Sequence, residues 1–214
     1  MSKKKIAIQG ELGAYSHIAA ENLYKDSEIK TCTTFEETFK QAYNDPSYKI
    51  VIPIENSLAG RVADIHYLLP KYKLQIHGEH FQAVEHNLLC KPDATISDIK
   101  FVRSHAQAIG QCQNLITKKK FKPIISADTA GSAKDLAEGK DKTIAAIASE
   151  LSAKIYNLKI LEKNIEDEKG NVTRFLIMGK NIEQPEFKKE KKFITSCIFL
   201  SLIHISEPTR LESI

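Results

Sequence analysis

Lys49-Ile50-Val51-Ile52-Pro53-Ile54-Glu55-Asn56-Ser57 is the stretch on which the fold turns. A short apolar run ends abruptly in polar residues, so it predicts a buried strand over 49–54 that delivers an amide and a hydroxyl where the backbone turns. Asn171-Val172-Thr173-Arg174-Phe175, far along the chain, also sets polar groups beside a strand end. Outward from these two, short apolar runs alternate with stretches of helical period, the pattern of a parallel sheet with crossover helices. Strands are expected over 5–9, 29–33, 49–54, 73–89 in pieces, 101–103, 121–126, 143–147, 159–165 and 173–178. Helices fill most gaps, and two carry capping-box spacing: Thr34 with Glu37 before a helix over 35–43, and Ser104 with Gln107 before one running to 116. The class is α/β, and the alternation suits either one long domain or two lobes.

The 214 residues, 42% hydrophobic and 27% charged, are enough for an ordinary globular chain with a substantial core. The net charge of +4 comes mainly from lysine runs at 3–5, 118–120 and 188–192, read as solvated surface. Cys32, Cys90, Cys112 and Cys197 lie far apart with no C-x-x-C pair. That pattern suggests neither a zinc site nor a disulfide framework, and it fits the reducing cytoplasm. Three lysines lead straight into Ile6-Ala7-Ile8, with no signal-type apolar stretch and no segment of bilayer-spanning length. No membrane or nucleic-acid partner is expected.

Several residues invite a functional reading, each with a plainer one beside it. Asn56 and Ser57 suit a carboxylate or hydroxyl ligand, or cap their own turn. Ser104-His105-Ala106-Gln107 opens a helix whose free N–H groups favour an anion, with Ser104 as N-cap and His105 as a possible aid to proton movement. Thr129, after Asp128, opens another. Gly10, Gly13, Tyr15 and Ser16 form a strand-to-helix turn with G-x-x-G spacing, short of the dinucleotide fingerprint. His77, His80 and His86 lack the spacing of zinc motifs, so no metal is expected. Along the strand, Thr173 and Phe175 share one side and Arg174 faces the other unless a bulge intervenes, which assigns Arg174 first to an ion pair.

Six stretches resemble, in order, the motifs of the prephenate dehydratase family over roughly residues 4–180. They are Gln9-Gly10-Glu11-Leu12-Gly13-Ala14-Tyr15-Ser16, Glu55-Asn56-Ser57-Leu58-Ala59-Gly60-Arg61-Val62, Ser104-His105-Ala106-Gln107-Ala108, Asp128-Thr129-Ala130-Gly131-Ser132-Ala133, Ile165-Glu166-Asp167 and Thr173-Arg174-Phe175. The resemblance implies two Rossmann-like lobes around a cleft, similar to type II periplasmic-binding-protein architecture. Lobe 1 covers about 1–77 and 168–180, and lobe 2 about 78–167. It also implies the conversion of prephenate to phenylpyruvate, water and carbon dioxide in phenylalanine biosynthesis, with no cofactor. Thr173, Asn56 and Ser57 are then the catalytic candidates, with Ser104, His105, Gln107, Thr129, Ala130, Gly13, Tyr15, Arg174 and Phe175 around the substrate.

A homodimer is further implied. Residues 181–192 read as a linker, and 193–214 as the start of a truncated ACT-like regulatory domain with a non-native tail, so that regulation by phenylalanine is lost. Two alternatives stay open: an arogenate dehydratase, and a non-catalytic two-lobed protein that binds small anions.

Overall fold

The computed structural model describes residues 3–181, all within one unit of the chain, Met1–Ile182. Two sheets share the work. The first has the order β2-β1-β3-β11-β5, built from β1 (Lys5–Gln9), β2 (Glu28–Cys32), β3 (Tyr48–Asn56), β5 (Gln75–Ala83) and β11 (Val172–Gly179), with the short β4 (Gly60–Arg61) hairpinned onto β3. The second has the order β10-β6-β9-β7-β8, built from β6 (Asn87–Cys90), β7 (Phe101–His105), β8 (Lys122–Ser126), β9 (Ile144–Ala148) and β10 (Lys159–Glu162). This is the two-lobed α/β arrangement that the resemblance implies, between which and one long domain the alternation alone does not choose.

Both sheets follow one plan. Three strands run parallel with the first of them in the middle, β2-β1-β3 and β8-β7-β9. The strand reached by crossing from the other sheet then joins antiparallel, β11 on β3 and β6 on β9. The parallel sheet suggested by the alternation is therefore corrected to two mixed sheets. Strands buried on both faces read as apolar runs whichever way they point, so direction leaves no trace in the pattern.

β3 shows why its sequence is so apolar. Ile50 and Ile52 pack with Phe39 of α2 (Phe35–Asn44) and with Tyr72 of α3 (Ala63–Tyr72). Val51, on the other face, packs with Ala19 and Ala20 of α1 (Tyr15–Leu23) and with Phe175. Both faces are covered over the middle of the strand, so alternation disappears and the run Ile50–Ile54 is apolar throughout. β5 pairs with β11 along its whole length, from Gln75 to Ala83. A boundary at 77/78 would cut that strand; the chain leaves the first sheet only after Ala83.

Thr34 caps α2 as its spacing predicts, accepting from Glu37 N at 3.1 Å, while the Glu37 carboxylate accepts from Thr33 N at 2.8 Å. The helix expected to run from Ser104 to 116 is different. β7 continues through Ser104 and His105, which pair with Ile125 and Ser126 of β8. Two helices follow, α4 (Ala106–Gly110) and α5 (Gln113–Lys119), and His105 rather than Ser104 is the N-cap of α4. α6 (Thr129–Glu138), capped by Asp128, and α7 (Glu150–Ile155), capped by Ser149, complete the second lobe. The linker and ACT-like expectations lie outside the described residues.

Candidate active site

A cleft of about 500 Å³ lies between the two sheets, lined by the ends of β1, β3 and β7 and the starts of β11, α1, α4 and α6. Thr173 sits on its wall because β11 pairs with β3 in a register that sets Thr173 opposite Asn56. Phe175 pairs with Pro53, so Ile54 is the extra residue of a bulge in β3. A proline, which has no N–H for the ladder, is well tolerated at such a bulge. The irregularity is in β3, so β11 keeps its alternation. Thr173 and Phe175 both face the cleft, and Arg174 points away to pair with Glu79 at 2.7 Å.

Asn56 holds this wall of the cleft together. Its Oδ1 accepts from Leu58 N at 3.1 Å and from Ala59 N at 2.8 Å, a turn closed by the side chain. Its Nδ2 therefore faces the other way and donates to Thr173 Oγ1 at 3.0 Å and Asn171 Oδ1 at 2.6 Å. Thr173, only 8% exposed, is an acceptor in that bond. Its own hydroxyl hydrogen has no acceptor among the described residues and is free to donate into the cleft.

Of the other expected site residues, Tyr15, His105, Gln107 and Thr129 also line the cleft. The rest do not. Ser57 sits beside the cleft, accepting from Val172 N at 2.9 Å and so holding the return crossing. Ser104 is fully buried and donates to Ile147 O at 2.7 Å. Ala130 is fully buried within α6. Gly13 faces the second lobe, where its carbonyl accepts from Ser149 Oγ at 2.6 Å and Ser152 Oγ at 3.0 Å.

A model of the family described as prephenate dehydratase matches residues 6–183. The chain belongs to the prephenate dehydratase family. It is 41% identical over 175 residues to a bifunctional N-acyl-homoserine lactone acylase/prephenate dehydratase of Komagataeibacter europaeus, an alignment covering 82% of this chain and 62% of that one. It is 40% identical to arogenate dehydratase/prephenate dehydratase 2 of Arabidopsis thaliana, covering 92% of this chain and 51% of that one. It thus spans only part of the curated relatives it matches. The crystal structure of the prephenate dehydratase from Staphylococcus aureus aligns with a TM-score of 0.71 at 28% identity, over 84% of this chain and 67% of that one.

Three residues of this prephenate dehydratase fold join the site without having been singled out for it: Asn171, Gln111 and His86, all lining the cleft. Asn171 and His86 are nearly inaccessible, at 3% and 2% exposed. Asn171 precedes the Thr-Arg-Phe triplet at a strand start, and Gln111 lies one helical turn beyond Gln107, both readable signals. His86 draws attention in the sequence only as a metal ligand, a role its neighbours in the chain do not support. Burial holds the His86 imidazole below its ordinary pKa, opposed by its hydrogen bond to Gln111 and by the Glu166 carboxylate. Burial likewise raises the Tyr15 phenol, with Cys112, Glu166 and Glu85 adding to the effect, so Tyr15 stays protonated.

The lining divides by chemistry. Phe35, Pro53, Val62, Val84, Ala108 and Phe175 offer apolar surface to a ring, and Asn56, Thr173, Asn171, Gln111, His105 and Gln107 offer polar groups at its edge.

Proposed function

We propose that this chain is a prephenate dehydratase, a carbon–oxygen lyase that removes the ring hydroxyl of prephenate as water and its ring carboxylate as carbon dioxide, leaving phenylpyruvate. The observation that carries the reading is the Thr173 hydroxyl, which accepts from Asn56 and faces a cleft with apolar walls. A donor fixed in that direction stabilises charge as it develops on the departing oxygen. A threonine hydroxyl is too weak an acid to surrender its proton outright at neutral pH, so it acts by hydrogen bonding. The departing hydroxide takes one proton to become water, and the electrons of the lost carboxylate complete the aromatic ring. Positioning between two lobes supplies the remaining advantage.

The arogenate reading differs only by an ammonium group in place of the keto oxygen. Asp128 is the one carboxylate bordering the cleft among the described residues, and it already accepts from Gly131 N at 2.6 Å to cap α6. That commitment leaves an ammonium poorly served and supports the keto acid. A cytoplasmic setting is supported by Cys32, Cys90 and Cys112, all buried and unpaired; no helix among the described residues is long and apolar enough to cross a membrane. A homodimer is supported by the open edge of β5, where Phe81 is 59% exposed.

The test is to supply purified chain with prephenate and with arogenate and to follow phenylpyruvate, phenylalanine and carbon dioxide. Equimolar phenylpyruvate and carbon dioxide from prephenate is the expected result. Prephenate bound but unconsumed would make the protein a small-anion binding module instead.

A further inference from the structure

Thr173 ends a chain of hydrogen bonds whose direction is set at the Asn56 turn. Because Leu58 N and Ala59 N occupy Asn56 Oδ1, only the amide N–H groups face Asn171. Asn171 must then present its oxygen to Asn56 and its own Nδ2 to Gln111 Oε1, 3.0 Å away. The same Gln111 oxygen lies 2.9 Å from His86 Nε2. An oxygen acceptor there requires the His86 hydrogen to sit on Nε2. His86 Nδ1 and Glu85 O lie 3.0 Å and 2.7 Å from Tyr15 Oη, two acceptors that share its single phenol hydrogen. The chain spans the whole site: Tyr15, Asn56 and Thr173 belong to the first lobe, Gln111 follows α4 in the second, and His86 and Asn171 lie on the two crossings.

We propose that His86 is a positioning residue for Thr173, its Nε2–H holding Gln111, and through it Asn171 and Asn56, in the orientation that leaves the Thr173 hydroxyl free to donate. The inference rests on the dehydratase reading. Without a donor at that place Gln111 loses the bond that fixes its amide. A rotated Gln111 would set its N–H groups against those of Asn171, two donors facing each other in a buried site. Asn171 then turns away from Asn56, and the geometry at Thr173 loosens.

His86→Leu removes the donor at similar size, and His86→Gln returns an amide N–H close to the lost Nε2. The expected result is a kcat for prephenate about ten-fold lower or more in His86→Leu, with KM within about two-fold, and recovery of most of the loss in His86→Gln. In a Thr173→Val background, His86→Leu should cost nothing further, because the two act through one bond chain. Ring nitrogen NMR of the unmodified protein, without substrate, should show His86 as the Nε2–H tautomer. An Nδ1–H tautomer, a folded His86→Leu with undiminished kcat, or an undiminished loss in the Thr173→Val background would overturn the inference and leave the dehydratase reading standing. An unmodified chain that forms no phenylpyruvate would overturn that reading and the inference with it.

Discussion

Asn56 and Asp differ by one group, and that group separates two jobs of the side chain. Asp at position 56 would still accept from Leu58 N and Ala59 N, keeping the turn, but would have no hydrogen for Thr173 Oγ1 or Asn171 Oδ1. Asn56→Asp is expected to lower kcat by about 10²-fold, the order seen when one directed donor is removed from an active site, while the denaturation midpoint falls little. Steady-state kinetics with a urea melt on the same sample checks both. At this scale the sequence exposes residues whose chemistry is peculiar to their place: Thr173, Asn56 and the outward-facing Arg174 follow from strand alternation and from the motifs. Ser104 and Gly13 mislead because a buried serine bonding to a strand carbonyl, and a glycine pressed against another lobe, have partners remote in sequence. Ile147 and Ser152 are not visible from a local motif.

At the scale of the element, the apolar run of β3 is readable because burial on both faces demands it. Ile50 is fully buried against Phe39 and Leu176 in the first core. Ile50→Ala should destabilise the fold by about 2–5 kcal/mol, the range for emptying such a site, read from the shift in denaturant midpoint. A change under about 0.5 kcal/mol, the usual size for exposed sites, would mean that β3 is not central. The break between α4 and α5 is not readable. Asp167 fixes it from a distant crossing, its N–H reaching Gln111 O at 2.7 Å and its carboxylate accepting from Asn114 N at 3.0 Å. Local periodicity continues through 111–113, and a tertiary cap ends one helix and starts the next.

Over the whole molecule, the turn at 11–13 ties the two lobes together. Beyond the Gly13 contacts, Tyr156 Oη donates to Leu12 O at 3.0 Å and Lys134 pairs with Glu11 at 3.1 Å. Gly13 has φ +91, and a Cβ there would lie 2.8 Å from Ser152 Cα. Gly13→Ala is therefore expected to lower Tm and raise KM together, since backbone strain and a clash would both open the seam. Unchanged Tm and KM would show that the seam does not set the cleft. Burial also keeps His86 and His17 below their ordinary pKa, with Glu21 opposing the shift at His17. Each imidazole holds its proton less tightly in the fold than in the unfolded chain, so the unfolded chain binds more protons as pH falls through about 6.5, and stability declines in that direction. A Tm series from pH 8 to pH 5.5 should show that decline, and His86→Gln should flatten it. The most direct test of Thr173 as the donor to the departing hydroxyl compares prephenate turnover in the unmodified chain, Thr173→Ser and Thr173→Val. Thr173→Ser, which keeps a hydroxyl, is expected to stay within about ten-fold of the unmodified kcat, and Thr173→Val to fall by about 10²-fold or more at similar KM. A folded Thr173→Val chain with unchanged kcat would contradict that role.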